Sequence, residues 1–145
     1  MKTSTLLRAA AVLSLLHFLG HSVGFPWTPS DGDQSAAVLG GMKSFRFDVF
    51  GSTRTYWDFY LGFGLTISVL LLLEAVVLWF LASVAVKEPR QARRFIGVFL
   101  LANLAQVALV LRFFFLPPLI LSVANTLCLV LALWVSRARP EPARP

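Results

Sequence analysis

Residues 59–86, FYLGFGLTISVLLLLEAVVLWFLASVAV, carry a single charged side chain, Glu74. A helix so uniformly apolar has no polar face to turn toward water, and about 20 such residues cross the hydrocarbon of a bilayer. With 57% hydrophobic and 14% charged residues in 145, the chain has material for several such helices and too little polar sequence for a sizeable soluble domain. The expected fold is all-α: an integral membrane four-helix bundle with spans at about 5–24, 59–86, 95–116 and 119–136. Residues 25–58 form one long outer loop, and 137–145 a basic, proline-rich, disordered tail.

The first segment, MKTSTLLRAAAVLSLLHFLGHSVG, reads in two ways. Lys2 and Arg8 before an apolar run, with Ser22-Val23-Gly24 as a small-residue cleavage site, describe a removable signal peptide. The same stretch is long enough to span if Arg8 snorkels or is paired, and His17 and His21 are unusual in a signal peptide, which favours a retained helix. In the outer loop, FPWTPSDGDQ favours turns. MKSFRFDVF then alternates Phe45, Phe47 and Val49 with Ser44, Arg46 and Asp48, the period of a short strand or an extended interfacial segment. Residues 51–55 read as a turn, and Tyr56, Trp57 and Tyr60 as interfacial aromatics. KEPRQARR, at 87–94, reads as a short basic loop with Pro89 as a helix stop, and Pro117-Pro118 separates the last two spans.

Lys2, Arg8, Lys87, Arg90, Arg93, Arg94, Arg137, Arg139 and Arg144 fall on one side of this arrangement, and only Lys43, Arg46 and Arg54 in the outer loop. The bias orients the chain N-in/C-in. The net charge of +6 lies in short clusters beside apolar runs, where the lipid bilayer's anionic headgroups are the nearer partner than nucleic acid. The lone cysteine, Cys128, excludes an intrachain disulfide and a CxxC redox pair.

Counting depth at ~1.5 Å per residue places Glu74 about 22 Å and Arg8 about 24 Å below the outer boundary, with Asn103 near the same layer. A lone charge at that depth is costly, so an Arg8–Glu74 ion pair is expected, supported by Asn103 or Gln106. The same count places His17 and Asn125 about 12 Å, and His21 and Arg112 about 5–6 Å, below the outer boundary. His17 and His21 share a helix face, as two metal or haem ligands would. With no further histidine and no acidic or thiolate partner, the expectation is hydrogen bonding across the bundle, no metal and no cofactor. Tyr56, Tyr60, Phe63 and Ile67 share a face with Glu74, either a packing stripe or a path for a lipophile or a proton. Gly62/Thr66 and Gly64/Ser68 are small-xxx-small pairs that permit close helix approach.

The runs Phe45-Arg46-Phe47-Asp48, Arg54-Thr55-Tyr56-Trp57-Asp58-Phe59-Tyr60 and Gly62-Phe63-Gly64, within residues 42–65, resemble small bacterial inner-membrane proteins of the DoxX-like four-helix group. The resemblance implies a four-helix bundle in a bacterial inner membrane, the cell membrane. It supplies no catalytic residues, and the quinone or redox partners linked to that group have no cofactor motif to match here. The function expected is a non-enzymatic binding or accessory module for a lipophilic small molecule or a membrane protein partner. The alternative is a membrane enzyme or proton-coupled carrier with Glu74 as the proton-handling group. No serine faces a histidine in triad order, and no glycine loop carries a phosphate-binding lysine.

Overall fold

The computed structural model describes residues 2–24 and 32–137. Its elements, in chain order, are α1 (Thr3–Gly24), α2 (Gly32–Ser44), β1 (Arg46–Val49), β2 (Ser52–Thr55), α3 (Tyr56–Lys87), α4 (Pro89–Phe113) and α5 (Leu116–Arg137). α1, α3, α4 and α5 are each long and apolar enough to cross a membrane. Of the turns expected over residues 25–34, residues 25–31 lie outside the described residues, as does the tail from 138 onward, while residues 32–34 open α2 instead.

Proline placement differs from the sequence expectation in an instructive way. Pro89 does not lie in a loop after α3; it opens α4, and Glu88 alone connects the two helices. A proline at the first helical position loses nothing, because the N–H it lacks has no partner inside the helix there. Arg90, Arg93 and Arg94 consequently sit on the first turns of α4 rather than in a loop. Cations at a helix N-terminus oppose its dipole, so this placement costs the helix some stability. Pro117 and Pro118 likewise fall in the first turn of α5, which begins at Leu116. The break before it is two residues, Phe114 and Phe115; Phe114 is extended, and its N–H still donates to the Val110 carbonyl at 3.0 Å.

The segment between α1 and α3 is more ordered than an irregular loop. α2 uses helix formers, Gln34, Ala36, Ala37 and Leu39, behind an acidic first-turn residue, Asp33. β1 and β2 form an antiparallel hairpin pairing Arg46 with Thr55, Phe47 with Arg54, Asp48 with Thr53 and Val49 with Ser52. Residues 52–55, expected as a turn, are thus a strand. The turn is Phe50-Gly51, both with positive φ (47° and 79°), the handedness that matches strand twist in a two-residue hairpin.

α3 begins directly after β2 because Thr55 and Asp58 cap it reciprocally. The Asp58 N–H donates to the Thr55 hydroxyl at 3.1 Å, and the Thr55 N–H donates to the Asp58 carboxylate at 2.8 Å. This is a capping box with aspartate in the usual glutamate position. Thr55→Val is expected to cost about 1 kcal/mol and to speed amide exchange over the first turn of α3, with the rest of the helix unchanged.

The chain divides into two compact units, Met1–His17 with Leu71–Pro145, and Phe18–Leu70. In the first, Leu6, Leu7, Ala10 and Ala11 of α1, Leu78, Leu81, Ala82 and Ala85 of α3, Ala92 and Ile96 of α4, and Leu129 and Ala132 of α5 make one core. The spacing is that of one face per helix, at three and four residues. Six of these twelve positions are alanine, which lets backbones approach closely. Outside, Val98, Leu101, Leu109, Leu111 and Trp134 are exposed while Ser14, Asn103, Ser122 and Asn125 are buried. That polarity is the reverse of a water-soluble protein and is what lipid as solvent would select.

In the second unit the end of α1 lies against α3. The His21 Nε2 is 3.0 Å from the Gly64 carbonyl oxygen, and the Ser22 hydroxyl donates to that of Ser68 at 3.0 Å. Gly64 and Ser68 are both buried, so this small-xxx-small pair is the one at a helix contact. Gly62 and Thr66 are exposed, and Thr66 bonds back to the Gly62 carbonyl of its own helix.

Candidate functional site

Polar groups of the first unit gather in one layer to which all four long helices contribute. Glu74 of α3 accepts at Oε1 from the Asn103 amide of α4 at 2.6 Å and from the Asn125 amide of α5 at 3.4 Å. Asn125 Nδ2 also donates to the Ser14 hydroxyl of α1 at 2.9 Å. Asn103 Nδ2 donates its second hydrogen to the Phe99 carbonyl one turn back, at 3.0 Å, which fixes the amide's direction. Each asparagine thereby uses both of its N–H donors, and each points its nitrogen at the carboxyl group.

The layer lies near mid-span. Counted along the helices, it is about 15 Å from the Gly24 end of α1 and the Phe113 end of α4, and about 14 Å from the Leu116 end of α5. In a hydrocarbon core ~30 Å thick, that is where an unbonded polar group costs most. Asn103 and Asn125 are only 3% and 4% exposed, and Ser14 1%. Two oxygens are left over: Asn125 Oδ1 and Ser122 Oγ are buried with no hydrogen-bond partner. Ser122 stands three residues before Asn125 on the same face of α5, so both belong to this layer.

Arg8 is not part of it. Its side chain is exposed, with the guanidinium 5.5 Å from the centre of the Trp79 ring, and it makes no ion pair with Glu74. Arg8 is five residues from the start of α1, about 7.5 Å, close enough for its long side chain to stay on the outer surface. Two amides meet the carboxyl group without the desolvation cost of burying a guanidinium. Gln106, one turn along α4 from Asn103, is half-buried and is not among the groups bonded to Glu74.

Of the residues expected in an outer layer, Asn125 instead joins Glu74. His21 meets the Gly64 carbonyl, His17 is half-buried on α1, and Arg112 is exposed with its guanidinium 5.4 Å from the Phe113 ring centre. Depth counting separated Asn125 from Glu74 because it treated helix starts as level. α3 has 32 residues and α5 has 22, so their ends need not be. Tyr56, Tyr60, Phe63 and Ile67 remain 37–65% exposed, so the stripe they share with Glu74 lines no enclosed path.

Sequence reasoning passed over Ser14 and Ser122, since a lone serine in an apolar run is ordinary. The available signal was spacing: Ser14 continues the face of Leu7, Ala10 and Ala11, and Ser122 and Asn125 that of Leu129 and Ala132.

Chemically, the layer holds one carboxyl group, two amides and two hydroxyls. The Ser14 oxygen faces an amide, which cannot take its proton, so the layer lacks a nucleophile and base pair. Among the described residues no three His, Cys, Asp or Glu side chains gather as a metal would require. No family model, curated protein or solved structure matches this chain.

Proposed function

We propose that the chain is a multi-pass membrane protein, a four-span bundle oriented N-in/C-in in a bacterial inner membrane. On this reading it acts as a non-enzymatic binding or accessory module for a membrane protein partner or a lipophilic molecule. The observation that carries the reading is the Glu74 layer: a half-buried carboxyl tied by amides from two other helices is a device for fixing helix register. α1 supplies four core residues and Ser14, which favours a retained first helix over a removable leader. The basic ends, with Lys2 just before α1 and Arg8 on it, Lys87, Arg90, Arg93 and Arg94 around the α3–α4 junction and Arg137 closing α5, support the inside assignment. The bacterial location rests on the DoxX-like resemblance of residues 42–65.

Glu74→Gln in protein reconstituted into vesicles tests this reading. An amide keeps an acceptor oxygen for Asn103, so the variant is expected to unfold within about 1 kcal/mol of the parent. Neither protein is expected to carry protons into vesicles loaded with a pH-sensitive dye. A proton flux abolished by Glu74→Gln would instead establish the second reading, a proton-coupled carrier or membrane enzyme using Glu74. One feature favours that alternative: Asn125 Oδ1, an acceptor without a partner, belongs to the same amide that donates to the carboxyl group.

A further inference from the structure

Phe50, at the tip of the β1–β2 hairpin, is fully exposed and holds a φ of 47°. Bulky residues rarely adopt that left-handed backbone, and a two-residue turn of this kind is served better by asparagine or glycine. Phe50 therefore contributes neither packing nor turn preference to the hairpin that carries it. Strain of this sort at an exposed aromatic points to a contact outside the chain.

Ring contacts give the direction in which the tip points. Phe45 stacks on Tyr56 with centroids 5.7 Å apart. Phe47 lies 4.9 Å from Tyr56 and stacks on Phe59 at 5.8 Å. Moving from Phe45 to Phe47 thus moves from Tyr56 to Phe59, so β1 runs alongside α3 in the same direction. Phe50 lies three residues further, about 10 Å at strand rise, on the way that α3 takes into its apolar sequence. The base of the hairpin stays at the start of α3 and is net cationic: Arg46, Arg54 and Lys43, whose ammonium lies 4.7 Å from the Trp57 ring centre, stand against Asp58 beside the two arginines and Asp48, which accepts from the Thr53 hydroxyl at 2.8 Å. A basic base and an apolar tip, set along a helix entering lipid, follow the order of headgroups and acyl chains.

We infer that the hairpin is a membrane-surface anchor: Phe50 inserts at the acyl boundary of the leaflet where α3 begins, and Arg46 and Arg54 contact lipid phosphates. The inference rests on the reading of the chain as a membrane protein. It extends that reading by giving the segment between α1 and α3 a lipid-binding role.

Two nitroxide-labelled proteins test it, in bilayer discs of phosphatidylcholine and phosphatidylglycerol and with Cys128 replaced by alanine. One carries the label at Phe50→Cys, the other at Val98→Cys on the exposed face of α4. Both labels are expected to collide more often with oxygen, which concentrates in lipid, than with a water-soluble nickel chelate. A nickel-dominated label at 50 beside an oxygen-dominated label at 98 overturns the anchor and leaves the membrane reading intact. Nickel-dominated labels at both positions overturn both. Should Phe50→Cys fail to fold, Phe50→Trp supplies the same readout, since the added fluorescence is expected to be quenched by brominated lipid. Emission quenched by aqueous iodide and not by brominated lipid overturns the anchor.

Discussion

Asn103→Leu is expected to destabilise the protein by about 1–3 kcal/mol, combining a lost interhelical hydrogen bond with the penalty of a half-buried carboxyl group left short of donors. The substitution is nearly isosteric, so the loss cannot be assigned to a cavity. Asn103 donates the shorter of the two bonds to Glu74, and the remaining amide lies 3.4 Å away. Midpoints of unfolding in mixed micelles measure the effect. The pair Glu74→Leu and Asn103→Leu is expected to recover part of it, because two apolar partners leave fewer unbonded polar atoms than one. Purely additive losses would show that the two side chains do not act together.

Ala132→Phe is the second large effect. Ala132 is fully buried in a core where half of the positions are alanine, and facing helices leave no room for a ring. Overpacking such a site costs about 1–3 kcal/mol, occasionally more, through forced rotamers and helix displacement. Leu101→Phe adds a comparable ring on an exposed, apolar face of α4 and is expected to change stability by less than about 0.5 kcal/mol. The contrast between the two separates helix packing from hydrophobicity, which increases in Ala132→Phe and stays high in Leu101→Phe. Equal losses from both would mean that the face carrying Leu101 is itself packed.

The helices were legible in the sequence because their lengths and apolar composition leave no other structure. Their boundaries were less so. Pro89, Pro117 and Pro118 mark interruptions, but whether a proline ends one helix or begins the next depends on which N–H groups lack partners, a property of the folded ends. α2 was hidden by glycines and by the turn-rich sequence before it. The hairpin showed only half of itself: Phe45, Phe47 and Val49 alternate, while Ser52, Thr53, Arg54 and Thr55 carry no period and become a strand through pairing.

In the candidate site, Glu74 stood out as the only charge in residues 59–86, and Asn103 could be matched to it by depth. Asn125 could not, since the levels of helices of unequal length are set by side-chain contact rather than by counting from their starts. Arg8 was matched to Glu74 by the same depth count and by its opposite charge. The structure gives Arg8 an aromatic face on the outer surface, where its cation avoids the desolvation that pairing would have required.

The four long helices meet at one polar layer containing Ser14, Glu74, Asn103 and Asn125. Cysteines at positions 14 and 125, in a chain with Cys128 replaced by alanine, test it most directly in native membranes. The Ser14 hydroxyl and the Asn125 amide nitrogen are 2.9 Å apart, so a short bifunctional thiol reagent is expected to join α1 and α5 within one chain. The same treatment of cysteines at 8 and 74 is expected to leave them free. Cross-linking of 8 with 74 but not of 14 with 125, or a mature chain that lacks residue 14, would contradict the account.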